Sequence, residues 1–402
     1  DKLCLATGSS PFVPPFTGLE SVENKHSFMT MDDMLKLESS INKNSNVLII
    51  GAGLIGLKCA EGLKKRVSSI TVCDLADRIL SSILDTECAF IMQKHLEQNG
   101  INFLLGDSVA SFEKNTAIMN SGKTVHFDVL VLAVGVRANT SLIKDISGEV
   151  NRGILVNTKM DTSIPDVYAA GDCTEGEDIS FQGKRVLAIL PNAYMQGNCA
   201  GFNMTGHSAV FDKAIPMNSI GFFGLHAMTA GSYYTAEQGG ELYEEKTEHT
   251  LKRLFTKDDY LTGFILIGAT DRAGIYTSLI RDRIPLSSIN FEHLKKTLLL
   301  RHFPQKNVNN FLEVWYNMQV IDVKNLDYKA VNEALRKADK DCSIEGCCGQ
   351  RFIAAGMSGK NLTINGIPGN ALGAYLDNSN ITVHANAQDA VGDTMNEGKI
   401  LI

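Results

Sequence analysis

Several common signals are missing from this sequence. No apolar run approaches the roughly 18–20 residues of a membrane span, and nothing at the start resembles a secretory leader. The 38 basic and 45 acidic residues form no block of like charge, and the formal net charge is −7. Phosphate-binding P-loop and catalytic-triad patterns are also absent. The lack of a block of like charge argues against nucleic acid and membrane surfaces as partners.

Paired cysteine motifs are missing as well. The nine cysteines are an odd number, scattered through apolar strand or helix patterns, and we expect reduced thiols in a cytoplasmic protein. Cys342, Cys347 and Cys348 lack a fourth ligand and the usual spacing of two residues between sulfur ligands, so we predict no metal site. Cys173 follows an acidic residue, but a small buried thiol is the favoured interpretation.

The bulk composition is that of a globular protein with several domains. Hydrophobic residues make up 44% of the 402 residues and charged ones 21%, enough to fill a sizeable core. A chain of this length suggests two to four domains. It has no initiator Met, opens on the strand-like "DKLCLATG" and stops inside the strand pattern "GKILI". We therefore expect it to be a fragment of a longer polypeptide.

A glycine-rich motif joins a predicted strand to a predicted helix. The apolar run "NVLII" (46–50) precedes a G-x-G-x-x-G pattern and a helix predicted over 54–66, with another strand over 68–74. The glycines allow a tight turn, close approach of a pyrophosphate and packing of the helix on the strand. The helix N-terminus adds free N–H groups for phosphate. The predicted contacts are Gly51, Gly53, Leu54, Ile55 and Gly56.

A carboxylate at the end of the next strand indicates which dinucleotide binds. Asp74 lies 23 residues after Gly51, where a carboxylate accepts the ribose 2′-OH and repels a 2′-phosphate. No arginine occupies 75–77, so the site favours NADH over NADPH. A fully apolar strand over 127–135 ends at Gly135, a further predicted contact. Over roughly 45–150, strands and helices alternate as in a doubly wound α/β unit.

Three further stretches carry a family resemblance. "LATGSSP" (5–11) and "VYAAGDCTE" (167–175) flank the nucleotide unit, and "LAVGVRANT" (132–140) closes it. This order resembles the pyridine nucleotide–disulfide oxidoreductase family, in its branch of NADH oxidases, rubredoxin reductases and nitrite reductase-like enzymes. The resemblance covers roughly residues 1–300. It implies an FAD domain interrupted by an inserted NADH domain, with the FAD cradle itself upstream of residue 1.

The second half of the implied flavin site lies within the sequence. By resemblance, Asp172 would bond the ribityl chain of the flavin, and "PNAYMQG" (191–197) would pass near its isoalloxazine ring. Two strands also end in residues that let backbone approach a ligand at one sheet edge, although each ending alone could be a tight turn. The predicted FAD contacts are Thr7, Gly8, Gly171, Asp172, Ala193 and Gln196.

Lys58 departs from the pattern implied by the resemblance. Many relatives place a carboxylate beside the nicotinamide at this point of the helix, whereas this sequence reads "GLIGLKCAEG". A cation there could stabilise negative charge on reduced flavin, which would make Lys58 a tuning group for the chemistry. The alternative is a solvated lysine or one that pairs with Glu61, three residues further on.

The C-terminal stretch contains an internal repeat. "NALGAYLDNSNITV" (370–383) aligns with "DAVGDTMNEGKILI" (389–402) at an offset of 19 residues, and Ile364 precedes Val383 by the same interval. Short apolar strands after glycine turns predict a β-solenoid with one coil per repeat. The motifs "GQRFIAAGMSG" (349–359) and "GIPGNALGAYLDN" (366–378) together resemble the GXGXG domain of the glutamate synthase large subunit, and the match covers about 325–402, part of such a domain. The aligned pairs are Gly373 with Gly392, Leu376 with Met395, Ile381 with Ile400 and Val383 with Ile402.

Together these observations predict an FAD-dependent oxidoreductase that takes hydride from NADH and passes electrons to a partner protein or small acceptor. The alternative is a non-catalytic scaffold or regulatory subunit of a glutamate synthase-like assembly. A glutamate synthase-type subunit and a second copy of the chain are the expected protein partners. The predicted domains are the second half of an FAD-binding domain (1–28 and 152–212), an NADH-binding domain (29–151), an α+β interface domain (213–322) and a partial right-handed parallel β-helix (323–402).

Overall fold

The protein divides into two compact units, Asp1–Pro285 and Leu286–Ile402. The computed structural model describes residues 1–181, 183–247, 250–270, 273–296, 319–387, 391 and 398–402. The finer division into four domains stays a prediction. Across the described residues, no helix has both the length and the apolar character that crossing a membrane requires.

The first unit combines parallel and antiparallel strands with helices. Its strands are β1 Leu3–Leu5, β2 Ser9–Pro11, β3 Lys25–Ser27, β4 Asn46–Ile50, β5 Ser69–Asp74, β6 Asn102–Leu105, β7 Val109–Glu113, β8 Thr116–Met119, β9 Thr124–His126, β10 Val129–Leu132, β11 Val136–Ala138, β12 Ile154–Leu155, β13 Val167–Ala169, β14 Thr174–Asp178, β15 Gly183–Arg185, β16 Met217–Phe222, β17 Leu225–Gly231, β18 Glu241–Lys246, β19 Leu251–Lys257 and β20 Tyr260–Ile267. Its helices are α1 Met31–Ser39, α2 Leu54–Leu63, α3 Thr86–Gln98, α4 Ser141–Lys144, α5 Leu190–Met204 and α6 Ala273–Arg281.

A five-stranded parallel sheet forms the centre of the nucleotide region, in the order β3-β10-β4-β5-β6. Its strands are apolar on both faces, because alternate residues enter two different buried clusters. In β4, Val47 and Ile49 belong to one cluster, and Leu48 and Ile50 belong to the other. The sheet is therefore parallel throughout and buried on both faces.

The two faces of this sheet are covered by different structures. Buried residues of α1, α2 and α3 all join the cluster that contains Val47. The opposite cluster is completed by β7, β8 and β9, which form an antiparallel sheet of their own. A doubly wound pattern predicts helices on both faces, but here the connection from β6 to β10 is made of strands, so a small sheet covers the second face.

Local sequence signals set the ends of the helices. The side chain of Thr30 accepts a hydrogen bond from the N–H of Asp33, whose carboxylate accepts in return from Thr30, and this capping box starts α1. Asp85 is the N-cap residue of α3, and its side chain accepts a hydrogen bond from the N–H of Cys88. Helix α2 ends at Leu63 rather than Arg66, because the N–H of Arg66 bonds to the Leu63 carbonyl at 2.8 Å in a tighter turn.

A second parallel pair lies outside the nucleotide sheet. Strand β1 pairs with β13 in register from Leu3 with Val167 to Leu5 with Ala169. Helix α5 contributes Cys199 and Ala200 to the buried cluster beneath this pair. Strands β12, β14 and β15 form a separate small sheet, and β2 pairs with β11. The two strands predicted to flank the nucleotide unit are therefore neighbours in space.

An antiparallel sheet completes the first unit. Its strands run in the order β16-β17-β20-β19-β18. Phe222, Phe255 and Ile265 of this sheet belong to the same buried cluster as helices α2 and α3. The sheet therefore packs against the helical face of the nucleotide region, and the described strands of the first unit after residue 213 are antiparallel.

The second unit contains a parallel sheet whose strands follow chain order. Its elements are α7 Phe291–Lys296, β21 Gln319–Asp322, α8 Tyr328–Lys337, β22 Asp341–Cys348, β23 Asn361–Ile367, β24 Ser379–Val383 and β25 Gly398–Leu401. Ile364 pairs with Val383, and Ile381 pairs with Ile400, each nineteen residues apart as predicted. Gly392 and Met395, which the repeat also aligns, lie outside the described residues.

Candidate functional site

Three strands of the nucleotide sheet end at one edge. In the parallel register, Ile50 at the end of β4 pairs with Cys73 of β5 on one side and with Leu132 of β10 on the other. The residues that follow each strand must therefore meet at this carboxyl edge. Gly51, Asp74 and Gly135 lie there, and their predicted role as dinucleotide contacts stays a prediction.

The glycines of the motif have two different surroundings. A Cβ on Gly51 would lie 2.2 Å from the Ala133 carbonyl oxygen, and one on Gly56 would lie 2.0 Å from that of Gly51. A Cβ on Gly53 would meet no protein atom within 4 Å. Gly51 and Gly56 are thus required by backbone packing, whereas Gly53 leaves open space at the position expected for a pyrophosphate.

The N-terminus of α2 opens onto the same space. Gly53 is the N-cap residue, and no side chain caps this end of the helix. The first N–H groups of a helix have no partner within it, so those of Leu54 and Ile55 are available to a phosphate. An open glycine, an uncapped helix end and a nearby carboxylate together fit a dinucleotide.

Asp74 is held against the glycine loop by backbone donors. The N–H of Ala52 donates to its Oδ2 at 2.6 Å, and the N–H of Ala76 donates to its Oδ1 at 2.8 Å. An ionised carboxylate has about four acceptor positions, so roughly two remain for ribose hydroxyls. The two alanines were not predicted as site residues, because their side chains carry no chemical signal.

The second predicted edge lies at the ends of β1 and β13. The N–H of Ala170 donates to the Leu5 carbonyl at 3.0 Å, which brings the segments that follow these two strands together. Thr7 donates from its hydroxyl to the Asn139 carbonyl at 2.6 Å, and the Asn139 amide donates back to the Thr7 carbonyl at 2.8 Å. Asn139, from the "VRANT" stretch, therefore fixes Thr7 and Gly8.

Helix α5 fixes the other half of this edge. The buried side chain of Gln196 accepts hydrogen bonds from the Gly171 N–H at 2.8 Å and from the Thr174 hydroxyl at 3.1 Å. A Cβ on Gly171 would lie 3.8 Å from that of Ala193. Within the described part of the chain, no group donates a hydrogen bond to the half-buried side chain of Asp172. The predicted FAD residues are thus together, and Asp172 keeps free acceptor positions that fit a hydroxylated ligand.

Lys58 makes its contacts within the protein. Its ammonium group pairs with Glu61 at 2.7 Å, donates to the Gly221 carbonyl and lies 4.9 Å from the centre of the Phe222 ring. Burial raises the pKa of Glu61, but hydrogen bonds from Lys58 and the Phe223 N–H outweigh it and leave that pKa lowered. These contacts favour the ion-pair alternative, and the tuning role stays a hypothesis.

The cysteines are free thiols. Cys173 is fully buried, and its sulfur lies 3.3 Å from the Ala170 carbonyl oxygen. Burial raises the pKa of Cys73 to about 12, so this thiol beside Asp74 stays protonated at neutral pH. Cys342 and Cys347 are buried, whereas Cys348 is exposed. In the described ranges, no three His, Cys, Asp or Glu side chains are grouped to hold a metal ion.

Known proteins share both the sequence pattern and the fold. Residues 1–197 match the family described as "Pyridine nucleotide-disulphide oxidoreductase". The epsilon subunit of NADH-dependent phenylglyoxylate dehydrogenase from Aromatoleum evansii is 34% identical over 299 residues, which is 72% of this chain and 70% of that protein. An NADH oxidase from Methanocaldococcus jannaschii is 33% identical over 67% of this chain, and the match spans 64% of its length.

A solved structure supports the same fold at lower sequence identity. The covalent putidaredoxin reductase–putidaredoxin complex superposes with a TM-score of 0.65 at 21% identity, over 71% of this chain and 70% of that one. At this identity the likeness concerns the fold alone. One conclusion follows from the residues matched by the family, from the two strand edges and from the 70% of the phenylglyoxylate dehydrogenase subunit that this chain covers. The chain belongs to the pyridine nucleotide-disulphide oxidoreductase family.

Proposed function

We propose that this chain is an NADH-dependent flavin oxidoreductase that delivers electrons to a separate acceptor protein. Its family consists of FAD-containing, NAD(P)H-dependent oxidoreductases. The single observation that carries the choice of NADH is the Asp74 carboxylate, fixed by two backbone N–H groups beside the glycine loop. Its negative charge suits ribose hydroxyls and opposes a 2′-phosphate.

In this proposal, the nucleotide edge orients NADH by holding two of its groups, the pyrophosphate and the adenosine ribose. The N–H groups of Leu54 and Ile55 hold the pyrophosphate, and Gly53 lets it approach the backbone. Asp74 holds the adenosine ribose. Gly135, at the end of the neighbouring strand, leaves the backbone open on the other side of the loop. With the pyrophosphate and the adenosine ribose held in this way, the nicotinamide end of NADH points away from α2.

The edge formed by β1 and β13 holds the flavin in this proposal. Bound FAD supplies the chemistry of accepting a hydride and releasing electrons, and the protein supplies orientation and electrostatics. Asp172 accepts a hydrogen bond from a hydroxyl of the flavin side chain, while Gln196 keeps Gly171 in place. Thr7, Gly8 and Ala193 line the approach to the same edge.

A protein acceptor is favoured by the relatives with which this chain shares its sequence pattern. The first relative is a subunit of a larger dehydrogenase, and another, 31% identical over 70% of this chain, is the electron transfer subunit of the Bacillus subtilis assimilatory nitrate reductase. The match covers 37% of the latter protein. We infer that electrons leave this chain for a partner protein rather than for a small acceptor.

We also propose that the second unit is a β-solenoid similar to the GXGXG domain of glutamate synthase and that it docks the acceptor. The support is the parallel sheet in chain order, in which the residues paired between β23 and β24 and between β24 and β25 are nineteen residues apart. Ile344, Ile364 and Ile381 belong to one continuous buried cluster along this sheet. A glutamate synthase-type subunit is the corresponding candidate partner, which co-purification with the full-length protein would test.

Flavin absorbance under anaerobic conditions tests the proposed function. NADH added to the full-length protein, loaded with FAD, should bleach the visible flavin band, and NADPH at the same concentration should act more slowly. Gly53→Ala should slow the bleaching by NADH, because its new methyl group occupies the space for the pyrophosphate. An FAD-loaded protein whose flavin stays oxidised with NADH would refute the proposal and favour a scaffold role.

A further inference from the structure

A polar cavity separate from both strand edges lies among three segments of the first unit. Its volume is about 230 Å³. At roughly 30 Å³ per water molecule, it has room for about eight water-sized groups. The walls come from the loop after β5, the β14–β15 hairpin and the strands β16 and β17. The lining residues that matter here are Arg185, Asn218, Thr229, Ser232, Tyr233 and Tyr234.

Arg185 is the charged residue among those described around the cavity. Its guanidinium carbon lies 3.6 Å from the centre of the Phe181 ring, and this cation–π contact holds the group against the ring. No oxygen of the described residues accepts a hydrogen bond from it. An arginine anchored on an aromatic ring, with donors that no hydrogen bond from the described residues occupies, is suited to bind a carboxylate through two parallel hydrogen bonds.

A buried acid that is not among the lining residues forms an ion pair with Arg185. Asp178 is fully buried, and its Oδ2 lies 3.5 Å from an Arg185 nitrogen without a hydrogen bond from any described group. Its Oδ1 accepts from the Ser180 hydroxyl at 2.6 Å, and that hydroxyl lies 3.0 Å from the hydroxyl of Ser232 in the cavity wall. Asp178 thus attracts Arg185 without using up its donors.

We propose that this cavity binds a small monocarboxylate with an aromatic or apolar body. The carboxylate bonds to the Arg185 guanidinium, and the body lies against Tyr233 and Tyr234. A single negative charge matches best, because Asp178 already offsets part of the positive charge of Arg185. A doubly charged phosphate would face that same acid with one cation to oppose it.

Calorimetric titration of the full chain with benzoate tests the proposal. Benzoate should bind saturably with a Kd on the order of 1 mM or tighter. Benzamide, which has the same shape without the charge, and inorganic phosphate should both bind at least about tenfold more weakly. Absence of saturable benzoate binding would overturn the proposal, and so would equal binding of benzamide.

Variants locate the site. Arg185→Met should weaken benzoate binding about tenfold or more, whereas Lys184→Met, which removes an exposed charge from the same strand, should leave it unchanged. Asp178→Asn keeps the acceptor for Ser180 and removes the competing charge, so it should tighten binding. Two results would show that no such site exists. One is an equal loss of benzoate affinity in Arg185→Met and Lys184→Met, and the other is weaker benzoate binding by a folded Asp178→Asn variant.

Discussion

The nucleotide sheet and the sheet of the second unit are both parallel, and they use similar sequence signals for different purposes. In the nucleotide sheet, β4 leads into helix α2, and an open glycine, Gly53, separates the two. In the second unit, β22, β23 and β24 follow one another in chain order, and their turns begin no helix among the described residues. A Cβ on Gly369 there would lie 2.3 Å from the Gly349 carbonyl oxygen.

This difference shows what a glycine after an apolar strand can mean. At Gly53 the missing side chain leaves space that a ligand can fill, whereas at Gly369 it lets one turn of backbone pack on the previous one. The features that separate the two cases are the helix that follows and the carboxylate, Asp74, at the end of the next strand. Substitutions at these glycines should therefore affect binding in one sheet and stability in the other.

The largest effect is expected within the nucleotide motif itself. Gly56→Ala would place a methyl group 2.0 Å from the Gly51 carbonyl oxygen, so the helix must shift, and we expect a loss of about 3 kcal/mol or more in the free energy of unfolding. Gly53→Ala should cost less than about 1 kcal/mol, because its methyl group meets no protein atom.

Urea unfolding followed by circular dichroism gives the two free energies, and calorimetry gives the NADH affinity of each folded variant. Gly53→Ala should bind NADH at least about tenfold more weakly while it remains folded. Equal destabilisation by both substitutions, or unchanged NADH binding by Gly53→Ala, would contradict the separation of roles within the motif.

A similar substitution in the second unit should change stability alone. Gly369→Ala forces apart two consecutive turns, so we expect a loss of about 2 kcal/mol in the stability of this unit. NADH affinity should stay at the wild-type value. Hydrogen exchange of β23 and β24 measures the effect, with the exposed Arg351→Ala as the control. Slow, wild-type exchange in Gly369→Ala would show that this glycine is not needed for packing.

The smallest effect is expected at Lys58. Its pair with Glu61 is half exposed, so Lys58→Met should cost about 0.5 kcal/mol at neutral pH. The pKa of Glu61 is lowered in the folded protein, so this contribution is present at neutral pH and is lost as the pH falls through that pKa. The variant and the wild type should therefore converge in stability under acid.

Urea titrations at neutral and acid pH measure this difference, and a flavin potential measured on the FAD-loaded forms tests the tuning hypothesis separately. If Lys58 stabilises reduced flavin, Lys58→Met lowers the midpoint potential. An unchanged potential together with the small change in stability would leave the ion pair as the whole role of this residue.

Local patterns in the sequence were sufficient for the nucleotide edge. The strand, the glycines and Asp74 fall within 29 residues, from 46 to 74, and each has a fixed position relative to the others. Residue spacing at short range also offered the pair between Lys58 and Glu61, as the alternative to the tuning role. The FAD edge depended on the family resemblance, since β1 and β13 are far apart in the chain and neither strand end is distinctive alone.

Contacts between distant polar residues could not be predicted. Strand β3 is polar and three residues long, and its partner β10 lies about a hundred residues further on, so no periodicity indicates their pairing. Arg185 and Ser232 are ordinary surface residue types, and only the packing of the hairpin on the antiparallel sheet brings them to one cavity. The hydrogen bond of Lys58 to Gly221 is another contact of this kind.

The most direct test of the account is a calorimetric comparison of NADH and NADPH on the wild-type chain, Asp74→Asn and Asp77→Asn. The wild type should prefer NADH by about tenfold or more, because the Asp74 carboxylate repels the 2′-phosphate. Asp74→Asn should lose most of that preference, whereas Asp77→Asn, which removes an exposed charge three residues away, should keep it. Equal affinities in the wild type, or an unchanged preference in Asp74→Asn, would contradict the assignment of this edge as an NADH site.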